Sequence, residues 1–393
     1  MGFLSGSMSF ETLRISEAQP PRFGPEHVEI LQEHAIGESA SYANDQVRVG
    51  FLAGDHLFDG AFDLEKNVYG DALHFAVRID TNQVPAAIRR AWLQIELAML
   101  NADSPERRPT KAQRQEAKDA VEARCEEAAR SGQFQRMQQF PVLWDAQTGS
   151  VFCGGTSAGA VDVCRDLLSK AFDLELSRLS SGRLALEWAT EAKQLGALNN
   201  AVPADFRGEG GKAEVVWWDG ESDNYDFLGN EFLLWLWWYW ETQGDTITLP
   251  DASEVTGMFA KTITLECPRG ESGKGTISAQ DPTDLPEAAQ AIRSGKLPRK
   301  AGLMLVRHGE AYELTLQAET FGVGGAKVQV DEEAEGRGIA EARIESLRAL
   351  KETLDLLFQA FCERRIGKSW SAELAQIRSW LNVKPRGRRA APE

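Results

Sequence analysis

Cysteine and histidine are both scarce in this chain of 393 residues, which contains five of each. The cysteines show neither C-x-x-C spacing nor a nearby histidine partner; they are Cys125, Cys153, Cys164, Cys267 and Cys362. Zinc modules and secreted disulfide scaffolds depend on such spacing. The sequence therefore predicts no metal, no cofactor and no disulfide framework, and a reducing cytoplasm is the expected compartment.

Long apolar segments are also lacking. The most hydrophobic stretch, "EFLLWLWWYW" (231–240), is too short to span a bilayer. The first sixteen residues have neither the basic start nor the long apolar centre of an export signal. We therefore expect no export and no membrane span. Hydrophobic residues still make up 42% of the chain, enough to bury the cores of two or three domains.

Positive charge is in short supply, since the formal net charge is −16. Such a chain is not expected to coat DNA with its whole surface, although local gatherings of charge matter more than the sum. One gathering is a C-terminal tail that contains Lys384, Arg386, Arg388 and Arg389. The other is a stripe of Lys111, Arg114 and Lys118, at i, i+3 and i+7 of a predicted polar helix. The stripe suits either a solvated helix with ion pairs to Glu116 and Asp119, or a face that follows phosphates.

The stretch "GGTSAGA" (154–160) contains G-x-S-x-G and looks like the nucleophile elbow of patatin-type lipases. It follows a predicted strand and opens a predicted helix, as an elbow does. No glycine-rich oxyanion loop precedes it, although Asp219-Gly220 would supply an aspartate downstream. Two interpretations stay open: a serine hydrolase that uses Ser157, or a helix start at which Thr156 or Ser157 caps the first turn.

A second motif, Arg307-His308-Gly309, looks like the opening of the histidine phosphatases. No histidine follows His308, so the phosphate pocket of that family would be incomplete. The alternation after it, with Tyr312, Leu314 and Leu316 on one face, predicts a β-hairpin whose tight turn contains Gly309.

Acidic residues gather between two predicted strands, "QVRVGFLAG" and "ALHFAVRID". Together with residues of the second strand they would suit the Mg²⁺ site of a metal-dependent nuclease; they are Asp55, His56, Asp59, Asp63, His74 and Asp80. The simpler interpretation is an acidic loop beside a solvated face of the sheet.

The remaining pattern predicts an α+β protein in three regions, 1–215, 216–330 and 331–393. The Trp-rich segment 229–245 predicts a helix that packs in the core or against a partner; stacking of single-stranded bases is the alternative, although no basic residue is interleaved as stacking would require. If this helix docks a partner and DNA contact is lost, the chain is a structural or interaction protein. A long helix is predicted from about Asp331. Its apolar stripe would form a short coiled coil or cover the protein's own sheet; the stripe is Leu347, Leu350, Leu354, Leu357 and Phe361.

The order of segments resembles the recombination-associated protein RdgC family. The similar stretches are "VRVGFLAG", then "ALHFAVRIDTNQVPAAIRRAWLQIELAML", then 111–179 with its W-D hairpin, and later "EAAQAIRSGKLPRKAGLMLVRHGEAYELTL". They cover residues 7–330 with gaps. The usual Trp-Phe-Lys start is replaced by "GFLSGSMSF", and the Trp-rich segment and the C-terminal helices are additional.

The resemblance implies an RdgC-like α+β fold with antiparallel sheets, packed helices and a long C-terminal amphipathic helix. It also implies a non-enzymatic, nucleoid-associated homodimer that encircles double-stranded DNA without sequence preference and restrains a RecA-type recombinase indirectly. In this frame Ser157 and His308 have structural roles. By position, the implied DNA-binding residues are Lys111, Arg114, Lys118, Phe134, Arg136, Lys296 and Lys300.

Overall fold

A computed structural model describes residues 2–16, 22–37, 47–102, 108–155, 157–207, 215, 224–268, 273–328 and 336–382. Three features of the sequence lie outside these residues: Thr156, the Asp219-Gly220 pair and the basic tail that contains Lys384.

Strands and helices alternate irregularly along the described part of the chain. The strands are β1 (Met8–Ile15), β2 (Val47–Leu52), β3 (Val68–Tyr69), β4 (Ala72–Asn82), β5 (Gln135–Asp145), β6 (Ser150–Cys153), β7 (Leu176–Arg178), β8 (Thr246–Thr248), β9 (Glu254–Glu266), β10 (Gly275–Ser278), β11 (Leu297–Arg307), β12 (Glu310–Gln317) and β13 (Val323–Lys327). The helices are α1 (Pro25–Glu33), α2 (Leu64–Asn67), α3 (Ala86–Leu100), α4 (Lys111–Arg130), α5 (Ala158–Phe172), α6 (Ser181–Glu191), α7 (Leu195–Leu198), α8 (Phe227–Thr242), α9 (Pro286–Arg293), α10 (Arg337–Arg365) and α11 (Trp370–Asn382), with a 3₁₀ turn at Pro282–Asp284.

The strands form one antiparallel sheet, which confirms the mixed helix-and-sheet class. Its order is β10-β9-β11-β12-β13-β1-β6-β5-β4-β2, with β3 paired to β4, β7 to β1 and β8 to β9. The N-terminal strand β1 lies in the middle, between β13 and β6. The sheet is therefore continuous from the elements near the N-terminus to those after residue 246.

One face of the N-terminal strands builds the first core. Leu73, Phe75, Val77 and Ile79 of β4 alternate onto this face, as the sequence predicts, and pack with residues of α1 and α5. Successive side chains of a strand point to opposite faces, so these four residues contribute to a single layer.

The opposite face of β4 is not solvated, and that expectation was wrong. His74 and Asp80 are only 7% and 2% exposed. The segment between β2 and α2 folds back over this face, where Arg78 donates a hydrogen bond to the Leu57 carbonyl (3.2 Å) and lies over the Phe58 ring. The acidic loop thus covers the sheet.

The second core surrounds α8, the Trp-rich helix. Trp235, Trp237 and Trp238 are buried among residues from the sheet, α6, α10 and α11, as predicted for a core helix. Helix α10 buries its apolar stripe in this same core, where it packs against α6 and α8; the stripe is Leu347, Leu350, Leu354, Leu357 and Phe361.

The turn between β11 and β12 explains the Arg-His-Gly motif. His308 has φ 52° and Gly309 has φ 83°, while Arg307 and Glu310 face each other at the strand ends. Two consecutive residues with positive φ are the mark of a type I′ turn, the usual two-residue hairpin connection. The predicted hairpin is confirmed.

Candidate nucleic-acid interface

Helices α3 and α4 form a helical hairpin inserted between two paired strands. Strands β4 and β5 pair from Ala72 opposite Asp145 to Asn82 opposite Gln135, and the chain leaves the sheet at that last pair. Neither core contains a described residue of 86–102 or 108–130. The hairpin therefore extends from the sheet as a separate arm and is held mainly by its own contacts.

Local interactions fix the start of α4. Thr110 accepts a hydrogen bond from the Gln113 amide (3.2 Å), and the Gln113 side chain accepts one from the Thr110 amide (2.9 Å). This capping box fixes where the helix begins. The Gln113 side chain also donates to the Leu100 carbonyl at the end of α3 (2.7 Å). The two helices are thus joined near the tip of the arm.

An aromatic contact joins the arm near its base. Phe134, predicted from the resemblance, is half-buried, with its ring centroid 6.2 Å from that of Trp92. The Arg124 guanidinium lies 4.3 Å from the Trp92 centroid, within the range of a cation–π contact. Phe134 therefore helps to hold α3 against the base of the arm.

The basic stripe on α4 is exposed and has no partner within the described residues. Lys111, Arg114 and Lys118 take part in no recorded ion pair or side-chain hydrogen bond there, while Asp119 accepts from Gln115 instead (2.9 Å). The alternative in which Glu116 and Asp119 neutralise the stripe is not what the structure shows. The three cations span about 10 Å of the helix, at about 1.5 Å per residue.

A groove between the two helices adds cations that the sequence reasoning missed. Its volume is about 610 Å³, and Arg89 and Arg90 of α3 line it together with Lys118. Arg89 is paired with Glu122, and the Arg90 side chain donates to the Ala86 carbonyl (3.2 Å). The only sequence signal was the Arg-Arg pair in "AAIRRAW", which is common on solvated helices.

The seven predicted DNA-binding residues do not form one patch. Lys111, Arg114 and Lys118 lie on the arm, and Phe134 and exposed Arg136 lie at its base. Four strands separate β5 from β11, which places Lys300 of β11 and the preceding Lys296 roughly 24 Å away at about 4.8 Å per strand. Lys296 donates to the Gly273 carbonyl (2.9 Å), and the charge of Lys300 acts on Glu11 of β1.

Ser157 does not have the surroundings of a catalytic nucleophile. It stands at the start of α5 with φ −93° and ψ 132°, an ordinary extended conformation and not a strained elbow. Within the described residues its side chain makes no recorded hydrogen bond to a histidine or carboxylate. Gly154 serves the close approach of β5, because a Cβ there would lie 2.5 Å from Pro141.

The Arg307 guanidinium is likewise already occupied. It is 5% exposed and forms ion pairs with Asp251 (2.6 Å) and Glu352 (2.9 Å). A phosphate would have to displace both carboxylates. His308 lies exposed in the adjacent turn.

The carboxylates of the acidic loop also have partners. Asp59 pairs with Lys66 and accepts from the Asp55 amide (2.9 Å), and these bonds hold its pKa below the usual range although burial acts to raise it. Asp80 forms two hydrogen bonds with Arg78 (2.7 Å each). Among the described residues, no three histidine, cysteine or acidic side chains are grouped so that they could hold a metal ion.

His74 lies beneath this loop, where its ring centroid is 6.4 Å from that of Tyr69. Burial lowers the pKa of His74 to about 4, so the imidazole is neutral at pH 7. A neutral, buried ring does not bind Mg²⁺ by charge, and the carboxylates beside it are already paired with Lys66 and Arg78. Together they do not form the charged site that Mg²⁺ requires.

No protein-family model matches this chain, and no curated protein matches it either. Of the helices in the described residues, none combines the length and apolar character needed to cross a bilayer.

Proposed function

We propose that the protein binds double-stranded DNA without sequence preference through the α3–α4 arm. The observation that supports this most directly is the stripe of Lys111, Arg114 and Lys118, exposed and unpaired within the described residues, in a chain of net charge −16. Unpaired cations at fixed spacing on a protruding helix are suited to phosphate oxygens, which carry no sequence information.

The acidic composition restricts how a duplex would approach. The net negative charge repels DNA at long range, so contact is favoured only where positive charge is concentrated locally. Arg90 in the groove and Arg136 at the base extend the positive charge of the stripe along the arm. We infer that the duplex lies along this arm and not on the surface of the sheet.

The resemblance to the RdgC family extends the proposal to assembly. Two copies would form a ring around the duplex, associate with the nucleoid and restrain a RecA-type recombinase by occupying its DNA. Lys296 and Lys300 lie roughly 24 Å from β5, at about 4.8 Å per strand. They would contact the same duplex only if the duplex crosses the width of the sheet.

Titration of a labelled random duplex from low to physiological salt tests this proposal. The logarithm of the binding constant should fall linearly with the logarithm of salt concentration and should not change with sequence. The triple variant K111E/R114E/K118E should weaken binding by well over about tenfold and reduce the salt slope by about three units. Deletion of residues 384–393 should cost less.

The matched control is K193E/K274E/K368E. These three lysines are also exposed, and their replacement changes the net charge by the same amount. It should weaken binding much less than the stripe variant. The proposal fails if the wild type does not bind at low salt, or if the control and the stripe variant weaken binding equally. Loss of binding on tail deletion alone would place the DNA elsewhere.

A further inference from the structure

A cavity on the far side of the second core is distinct from the arm. Its volume is about 230 Å³, and it lies between α8, α9, the start of β11 and the end of α11. Its buried apolar lining residues include Phe206, Phe227, Leu234 and Leu297. Such a wall favours the apolar part of a ligand.

The same cavity is lined by basic side chains from the last residue of α9 and from the turn that follows it. Arg293 and Lys296 form no recorded ion pair among the described residues, although the charge of Arg293 acts on Glu241, and the Lys296 ammonium donates to the neutral Gly273 carbonyl. Both residues are half-buried, and the Lys296 ammonium lies at the exposed end of its side chain. An anion at the mouth of the cavity would therefore be attracted by two positive charges.

The two acidic residues that line the cavity are already compensated. Glu231 is 1% exposed, pairs with buried Arg365 (2.5 Å) and accepts from the Ala204 amide (2.6 Å). Asp205 accepts from the Arg207 amide (3.1 Å) and lies 3.9 Å from the Arg378 guanidinium. These bonds leave the lining with an excess of positive charge.

A glycine holds a further arginine over this cavity. Gly295 has φ 91°, and a Cβ at this position would lie 2.7 Å from the Arg207 side chain. The glycine thus permits both the turn after α9 and the close approach of Arg207.

We propose that this cavity binds a small carboxylate with an apolar body. The apolar part would contact Phe206, Phe227 and Leu297, and the carboxylate would face Arg293 and Lys296. At about 30 Å³ for each water-sized group, the volume accommodates a body of roughly eight such groups. The cavity is smaller than the pockets of about 300 Å³ or more that hold drug-sized ligands, so the ligand is a short molecule.

Calorimetric titration of octanoate into the full chain tests this site. One octanoate should bind per chain. Octan-1-ol should bind at least about tenfold more weakly, because it lacks the charge, and inorganic phosphate should not bind measurably, because it lacks the apolar body. Equal binding of octanoate and octan-1-ol, or of octanoate and phosphate, would overturn the proposal.

Paired variants locate the site. Lys296→Gln should weaken octanoate binding at least about tenfold, at 1.4 kcal/mol per tenfold change. Lys300→Gln removes the same charge from a nearby position on β11 without touching the cavity, and should leave binding unchanged. Circular dichroism verifies that both variants are folded. Equal effects of the two substitutions, or no binding of octanoate by the wild type, would show that the cavity is not the site. The stripe variant of α4 should bind octanoate normally.

Discussion

Buried ionisable residues in this protein are held by specific partners. Glu231 and Arg365 are 2% and 8% exposed at their side chains and lie 2.5 Å apart. Burying either charge alone would cost several kcal/mol, on the order of 3–5, because water no longer solvates it. Each of these two charges is therefore stable in the interior only because its partner is present.

His74 differs from Glu231 and Arg365, because it is buried without a charged partner in contact. We expect wild-type stability to fall, relative to a His74→Gln variant, as the pH is lowered from about 6.5 toward 4. The pKa of His74 is about 4 in the folded protein, whereas the unfolded chain takes up the proton near 6.5. Between these values the unfolded state binds more protons, so stability is lost as pH falls.

Urea denaturation of both proteins at pH 7, 6, 5 and 4 measures this difference. The wild type should lose up to about 3 kcal/mol relative to the variant, from a shift of about 2.5 units at 1.36 kcal/mol each. Acidic residues titrate equally in both proteins and cancel. A constant difference across this range would mean that His74 is protonated as readily in the folded state as in the unfolded chain.

The sequence predicted which residues of β4 form the first core, but not the burial of His74 and Asp80. Apolar alternation is a local signal, so Leu73 and Phe75 were assigned to the core from neighbouring residues alone. Burial of the other face depends on a segment that folds back over it, and its Arg78 contacts join residues far apart in the chain. A local pattern does not contain that information.

At the scale of elements, prediction worked where one segment carried its own signal. Helix α8 was predicted from its continuous apolar sequence, and the β11–β12 hairpin from alternation around His308 and Gly309. Strand β13 was missed because Gly324 and Gly325 interrupt any alternation. The position of β1 between β13 and β6 was also beyond prediction, since both partners lie far away in sequence.

The candidate site shows the same division. The stripe on α4 follows from helical spacing, so its three members were found together. The contributions of Arg89 and Arg90 depend on how α3 packs against α4, and that packing has no signature in either helix alone. The separation of Lys296 and Lys300 from the arm likewise follows from strand order.

The arm should be removable without unfolding the rest of the protein. In a variant that joins Asn82 to Gln135 through Asn-Gly, strands β4 and β5 would continue as an ordinary two-residue hairpin, because these two residues already face each other. No described residue of 86–102 or 108–130 belongs to either core, so the apolar contacts that stabilise the sheet remain. Only local bonds are lost, such as that from Asn82 to the Ala129 carbonyl.

Urea denaturation should show a single transition with a midpoint close to that of the full chain, and the variant should not bind DNA. A control variant deletes only residues 94–117, the outer part of the arm. It keeps the Trp92–Phe134 contact and tests whether the base of the arm by itself stabilises the rest of the protein. Loss of the folded state on removal of the arm would show that the hairpin stabilises the cores.

At the scale of the whole molecule, α10 connects strands from the two halves of the sheet. Its Arg343 donates to the Phe3 carbonyl (2.9 Å), and its Arg348 pairs with Asp145 of β5. Its Glu352 pairs with Arg307 of β11 (2.9 Å). Because one rigid helix holds strands from both halves, and β1 is shared between them, the two cores should unfold together.

Arg348→Met tests this coupling. Asp145 is 0% exposed, so removal of its partner leaves a buried carboxylate with only the Thr148 hydroxyl (2.7 Å) as a side-chain donor. The cost should be about 3 kcal/mol, as for other broken buried pairs. Native-state hydrogen exchange should report the same loss at the amides of Phe75 in the first core and Leu303 in the second. Arg89→Met breaks an exposed pair on the arm and should change both by less than about 1 kcal/mol. If Phe75 alone loses protection in the Arg348 variant, the two cores unfold independently and α10 does not couple them.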